Sequence, residues 1–287
     1  MHRTLYPIAA APLLFVATVA CAQQLPDPSG EDPARLRSAE SLGLRLYRHD
    51  RAASLATDAV QANRKYRKDK RVGGWITEAR ESAILVSFID KGDPEQASLL
   101  YQVEVSDGSD GAGKVRAFDP PETATTSQRN AARARHTATG FDFAPCTQRY
   151  NTVVLPTIAD GMPGWNVFLL PSTTDAKVIP FGGAYRLELD AEGRTVTNSR
   201  TYTRSCLDFT RNKPRGAEEA ALVMTHVLDP VPTEVHVMLN LQIGTPVIVI
   251  TTSNRNSWRI ERGRIQFLKK IEPKPDEGPK APIADVR

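Results

Sequence analysis

The chain has 287 residues, of which 40% are hydrophobic and 24% are charged, and its formal net charge is +4. This is the composition of an ordinary globular protein that is long enough to form a real core. A net charge of +4 is too small to indicate binding to nucleic acid, so no nucleic-acid partner is expected.

Residues 1–22 have the features of a cleavable secretory signal peptide. A short basic start precedes an apolar run from Leu5 to Ala20, which at about 16 residues is shorter than the ~20 that a membrane-spanning helix needs. The run ends in Ala20-Cys21-Ala22, a small-x-small pattern that signal peptidase cleaves. We therefore predict a mature N-terminus at Gln23, a periplasmic or secreted location and no integral membrane segment after cleavage. The alternative is a lipoprotein that is acylated at Cys21.

An N-terminal helical segment is predicted over residues 23–72. Asp32-Pro33 supplies an N-cap followed by proline at the first helical position. Apolar residues then recur at steps of three and four as far as Val60, the spacing of one helix face. The pattern fits either one long helix or a helical hairpin bent near His49-Asp50, and Gly73-Gly74 ends it.

A β-rich domain is predicted over residues 73–271, followed by a disordered tail over 272–287. Short apolar or alternating runs, such as Ala83 to Ile89 and Tyr185 to Leu189, recur between Gly-rich turns. The predicted fold class is therefore α+β, with a long N-terminal helix or helical hairpin followed by a mainly antiparallel β-sheet body. Because Pro, Lys and acidic residues dominate the tail, it has little to bury.

Two cysteines remain after the predicted cleavage, Cys146 and Cys206. An even number of cysteines in an oxidising compartment predicts a disulfide bond between them. The sequence contains no Cys-x-x-Cys motif, and two separate buried thiols are the alternative.

The remaining candidate for chemistry is a predicted β-hairpin over residues 220–241. Residues 220–228 and 233–241 each carry apolar side chains at alternate positions, and prolines lie between them. Aligning the valines toward the core places four polar residues together on the other face or in the turn. Imidazoles with carboxylates could bind zinc or another divalent metal. These candidate ligands are His226, Asp229, Glu234 and His236.

No motif in the sequence identifies a reaction. There is no Gly-x-Ser-x-Gly nucleophile motif and no dinucleotide-binding glycine loop. We therefore expect an exported envelope protein that acts as a non-enzymatic binding or interaction module, with an envelope protein or a small ligand as its partner and without a cofactor. The alternative is a metal-dependent hydrolase with its site on the 220–241 hairpin, for which a divalent metal would be the cofactor.

Overall fold

The computed structural model of the protein describes residues 31, 33–159, 161–175, 177–210 and 220–272. The predicted signal peptide and the predicted N-terminus at Gln23 lie outside the described residues, and so does the predicted tail beyond residue 272.

The N-terminal segment contains one continuous helix and not a hairpin. Helix α1 runs over Pro33–Ala62 without a break at His49-Asp50, and a single turn, α2 (Arg64–Arg67), follows it. Asn63 separates the two helices, and its side chain accepts a hydrogen bond from the backbone of Lys65. Both predicted forms included a helix here, and the continuous form is the one observed.

Within the described residues, three four-stranded sheets and one two-stranded ribbon follow α1. The first sheet contains, in order, β1 (Val72–Ala79), β2 (Ala83–Asp90), β3 (Ser98–Ser106) and β4 (Arg116–Thr123). The second has the order β5 (Arg149–Ala159), β6 (Met162–Ser172), β8 (Tyr185–Leu189) and β9 (Val196–Thr201). The ribbon pairs β7 (Val178–Pro180) with β10 (Asp208–Thr210). The third contains β11 (Leu222–His226), β12 (Val247–Thr251), β13 (Asn256–Glu261) and β14 (Arg264–Lys270).

The predicted fold class is confirmed. Every strand pair is antiparallel except β11 and β12, which are parallel. A short 3-10 helix covers Pro94–Gln96. The described residues form two further α-helices: α3 (Thr126–Thr139) precedes the second sheet, and α4 (Glu234–Ile243) lies between β11 and β12. A parallel pair requires such a crossover connection, because a tight turn joins only antiparallel strands.

Helix α1 contributes side chains to three separate hydrophobic clusters. Leu36 and Ala39 pack with α4 and the third sheet. Leu46 packs with the second sheet and α4. Farther along the helix, Ala52 and Ala56 pack with the first sheet. The apolar stripe found in the sequence is therefore buried along the whole helix, and each sheet is anchored to it.

Helices α1 and α4 are in close contact at Gly43. A Cβ atom at this position would lie 2.5 Å from the Cβ of Val237 and 2.7 Å from the backbone oxygen of Glu234. Real Cβ atoms do not make such short contacts, so this crossing has no room for any side chain. The glycine therefore sets the distance between the two helices.

The predicted hairpin over residues 220–241 is wrong. Its first half is strand β11, but its second half is helix α4, so the two halves do not pair. The predicted facing of β11 is also reversed: Val223 is 61% exposed, whereas His226 is only 3% exposed. Neighbouring residues of a strand face opposite sides, so turning Val223 outward turns His226 inward.

A helix forms here because its start is capped and its sides are covered. The backbone N–H of Thr233 donates to Nδ1 of His236, the position at which a capping box has Glu or Gln. Gly244 ends the helix in the left-handed conformation, with its N–H bonded to the oxygen of Asn240. Valine and leucine fit such a covered helix as well as a strand, so their alternation did not distinguish the two.

Cys146 and Cys206 form a disulfide bond, as predicted. Their Cα atoms are 5.2 Å apart. The closed loop of 60 residues contains all strands of the second sheet and strand β7 of the ribbon. The bond therefore fixes both ends of this part of the fold.

We expect Gly43→Ala to destabilise the protein. The added methyl group must displace α4, and overpacking of this kind costs about 1–3 kcal/mol, more than the ~0.5–1 kcal/mol that alanine gains over glycine within a helix. Urea unfolding at neutral pH measures the change in unfolding free energy. The control is Gly111→Ala, because no atom lies within 4 Å of a Cβ built there. A Gly43→Ala variant at least as stable as wild type would contradict the close helix crossing.

Candidate functional site

The four predicted metal ligands lie at the end of β11, in the loop that follows it and in the first turn of α4. Nε2 of His226 is 2.8 Å from Oδ2 of Asp229, and Arg200 donates to the same carboxylate oxygen at 2.7 Å. The rings of His226 and His236 meet edge to face, with their centroids 4.6 Å apart. The fold thus brings three of the four candidates together, although by a different route from the predicted hairpin.

Glu234, the fourth candidate, has other partners. Its carboxylate accepts a hydrogen bond from the hydroxyl of Tyr202, and Arg186 lies 3.4 Å away. Burial and the charge of Glu234 raise the pKa of Tyr202, which therefore stays protonated and can donate. Glu234 thus links the start of α4 to the second sheet.

The protonation states of this polar cluster follow from burial. Burial, with a smaller effect from the charge of His226, lowers the pKa of His236 to about 3, so its ring is neutral at pH 7. Burial alone would raise the pKa of Asp229, but the hydrogen bond from His226 and the charge of Arg200 hold it below its ordinary value. Asp229 is therefore an anion with two protein partners.

These contacts leave little capacity for a metal ion. Asp229 is neutralised by Arg200, and Nδ1 of His236 already accepts from the backbone of Thr233. Within the described ranges, no group of three or more His, Cys, Asp or Glu side chains is arranged to hold a metal. The arrangement is that of a hydrogen-bonded polar network, which joins α4 to the second sheet.

A second site, which the sequence did not indicate, is a cavity of about 290 Å³ between α1, the β6–β7 region and α4. Most of its lining is apolar. The apolar lining residues are Leu170, Pro171, Val178, Ile179, Pro180, Phe181, Ala184, Val235, Met238, Leu239 and Ile243. Its polar lining residues are Asp50, Asn151, Ser172, Thr173 and Gln242. A concave apolar chamber with a few polar groups is the usual form of a small-ligand site.

Asp50 is the single charged residue among the described residues that line this cavity. Its side chain accepts hydrogen bonds from Nδ2 of Asn151 at 2.9 Å and from Nε2 of Gln242 at 3.0 Å. Asp50 is 9% exposed. Burial raises its pKa, and the two amides only partly oppose that effect. Both donors are neutral amides, so they orient the carboxyl group without adding a positive charge beside it.

The neighbours of Asp50 on α1 make their polar contacts elsewhere. Nδ1 of His49 lies 2.7 Å from the hydroxyl of Thr77, and burial lowers the pKa of His49 to about 4. Arg51 donates to Asp110 on the far side of the helix. Asp50 is thus the residue that α1 presents to the cavity.

Another cavity, of about 380 Å³, adjoins the Asp50 cavity. The two share Ser172, Thr173, Val178 and Pro180 as lining residues. The adjoining cavity is bordered by the disulfide bond and by Arg149 and Asp208, so it is the more polar of the two. Strand β7 therefore forms a wall common to both.

Comparison of the chain with protein-family models, with curated proteins and with solved structures finds no match. The choice between the polar cluster around His226 and the Asp50 cavity therefore depends on their geometry. The sequence prediction missed Asp50, Asn151 and Gln242. The one available signal is an acidic residue within the apolar pattern of α1, a pattern that fits either one long helix or a hairpin bent near His49-Asp50.

We expect the buried His236 to make the stability of the protein depend on pH. Its pKa is about 3 in the folded protein and ordinarily 6.5. As the pH falls, the unfolded chain therefore binds a proton at His236 before the folded protein does. The free energy of unfolding decreases as the pH drops from 6.5 toward 3. For one histidine the loss is about 1.4 kcal/mol per pH unit.

The matched test is His236→Asn, because the amide oxygen can accept the Thr233 N–H without titrating. The measurement is the unfolding free energy of wild type and of His236→Asn in urea between pH 7 and pH 4. The difference between the two should decrease by about 1.4 kcal/mol for each pH unit below 6.5. His136→Asn, at an exposed position, should follow wild type throughout. A difference between wild type and His236→Asn that does not change with pH would show that His236 is not buried in its neutral form.

Proposed function

We propose that the chain is an exported, non-enzymatic binding protein that holds a small ligand in the cavity between α1, β7 and α4. The observation that carries this proposal is the cavity itself, an apolar chamber with one oriented carboxylate at Asp50. Such a chamber can enclose an apolar ligand body while one polar group fixes its orientation.

The polar groups of the cavity favour binding over catalysis. General acid–base chemistry needs a second titratable group near the first. Among the described lining residues, Asp50 is the only ionisable side chain, and its partners are the amides of Asn151 and Gln242. The cavity therefore offers recognition but no acid–base pair.

One observation and one sequence prediction support an extracytoplasmic location. The disulfide between Cys146 and Cys206 is of the kind that persists in oxidising compartments. The signal peptide predicted over residues 1–22 would deliver the chain there. Among the described helices, none has both the length and the apolar character required to cross a bilayer. We propose the periplasm or secretion as the location, with lipidation at Cys21 as the alternative.

The second candidate function is the metal-dependent hydrolase. The observation in its favour is that the imidazoles of His226 and His236 converge to 4.6 Å beside Asp229. We place it second because Arg200 already neutralises Asp229 and because Glu234 is bonded to Tyr202.

Metal analysis of the purified protein separates the two functions. We expect a content of zinc, manganese, iron and copper well below one ion per chain, unchanged in His236→Ala. The control variant is His136→Ala, which removes an exposed histidine of α3. About one ion per chain that is lost in His236→Ala but retained in His136→Ala would favour the hydrolase.

We expect Val178→Phe to block ligand binding. Val178 is half-buried in β7 and lines both cavities, so a larger side chain there occupies ligand space. The probes are phenethylammonium, 2-phenylethanol and 3-phenylpropionate, which share a phenyl ring and differ in charge. Titration calorimetry should show at least one of them binding to wild type and losing about tenfold or more in affinity in Val178→Phe.

The matched control is Val223→Phe, which makes the same change at an exposed position on β11 outside the cavity lining. It should bind the same probe as wild type does. If wild type bound none of the three probes, or if the two variants bound equally well, the proposed function would be wrong.

A further inference from the structure

We propose that the ligand of the Asp50 cavity is a small organic cation, whose protonated amine pairs with the carboxylate of Asp50 while its apolar body fills the rest of the chamber. This inference rests on the proposed binding function and specifies the chemistry of the ligand.

The Asp50 cavity contains one ionisable side chain among its described lining residues, and that side chain is acidic. A buried carboxylate is costly to desolvate unless a cation compensates for it. Asp50 has two amide partners, and neither carries charge. A ligand ammonium group could complete the pair, because each carboxylate oxygen accepts more than one hydrogen bond.

None of the described basic residues on the surrounding elements lines the Asp50 cavity. On α1, Arg48 pairs with Asp107, and Arg51 pairs with Asp110. On β5, Arg149 lines the adjoining cavity and is absent from the lining of the Asp50 cavity.

On α4, the titratable groups are Glu234 and His236, and both belong to the polar network described above. Burial raises the pKa of Asp50, the hydrogen bonds from Asn151 and Gln242 partly oppose it, and no charged side chain contributes. The fold thus presents a carboxylate whose positive partner would have to come from outside.

The size and lining of the cavity indicate the rest of the ligand. A dry apolar cavity of about 150 Å³ accommodates benzene, and this one has about 290 Å³. Phe181, Met238 and Leu239 line it, which suits a phenyl-sized or branched aliphatic body. Gln242 and Thr173 are exposed, so the chamber reaches the surface beside the carboxylate.

The ordering of the three probes tests this inference on the wild-type protein. At pH 8 a primary alkylamine is protonated, because its pKa is close to that of lysine at ~10.4. We expect phenethylammonium to bind at least about tenfold more tightly than 2-phenylethanol, since loss of one partner of a buried charge pair is costly. We expect 3-phenylpropionate to bind most weakly, because its carboxylate meets that of Asp50.

Asp50→Asn provides the matched variant, because it keeps the shape of the side chain and removes the charge. It should lose the preference for phenethylammonium and still bind 2-phenylethanol about as well as wild type does. Should the variant not fold, the probe order on wild type still decides the question.

The outcomes separate this inference from the proposed function. If 2-phenylethanol or 3-phenylpropionate binds wild type as tightly as phenethylammonium and Val178→Phe blocks that binding, the cavity binds ligands but the cation inference is wrong. An Asp50→Asn variant that keeps the full preference for the cation would also overturn the inference. If none of the probes binds wild type, both proposals are wrong.

Discussion

The close crossing of α1 and α4 at Gly43 is the constraint on which the rest of the structure depends. Helix α1 supplies side chains to three hydrophobic clusters, and α4 belongs to two of these. Asp50 lies seven residues beyond Gly43, about 10 Å along the helix axis at 1.5 Å per residue. Near contact at the crossing keeps the two helices close enough for Gln242 of α4 to reach Asp50. The close packing at Gly43 thus makes the hydrogen bond between Gln242 and Asp50 possible.

The carboxyl groups near the two ends of α4 differ in whether a positively charged side chain lies beside them. At the start of the helix, the anion Asp229 is matched by Arg200, and the neutral ring of His236 is capped by the backbone of Thr233. At its end, the carboxylate of Asp50 has hydrogen bonds but no cation among its described contacts. A network whose charges are matched rigidifies a fold, whereas a polar group without a charged partner at a cavity wall keeps capacity for further hydrogen bonds.

The sequence was sufficient to predict the elements that depend on local signals. The apolar stripe predicts a helix over α1. The disulfide bond follows from the number of cysteines left after the predicted cleavage, because only one pairing of two is possible. Helix α4 was missed because it is covered on most sides and lacks a polar face, so its valines alternated as they do in a strand. Its start signal was also unusual, with His236 at the position where a capping box has Glu or Gln.

Asp50 could not have been recognised from its surroundings in sequence, because what makes it distinctive comes from distant segments. Asn151 is 101 residues away and Gln242 is 192 residues away. The same separation has a kinetic consequence. No folding intermediate in which α1 or α4 is undocked possesses the cavity. Contacts this remote in sequence form late, because long loops must close first. A ligand that fits the cavity would therefore stabilise only the completed native state, and its binding would report how much of a preparation has folded fully.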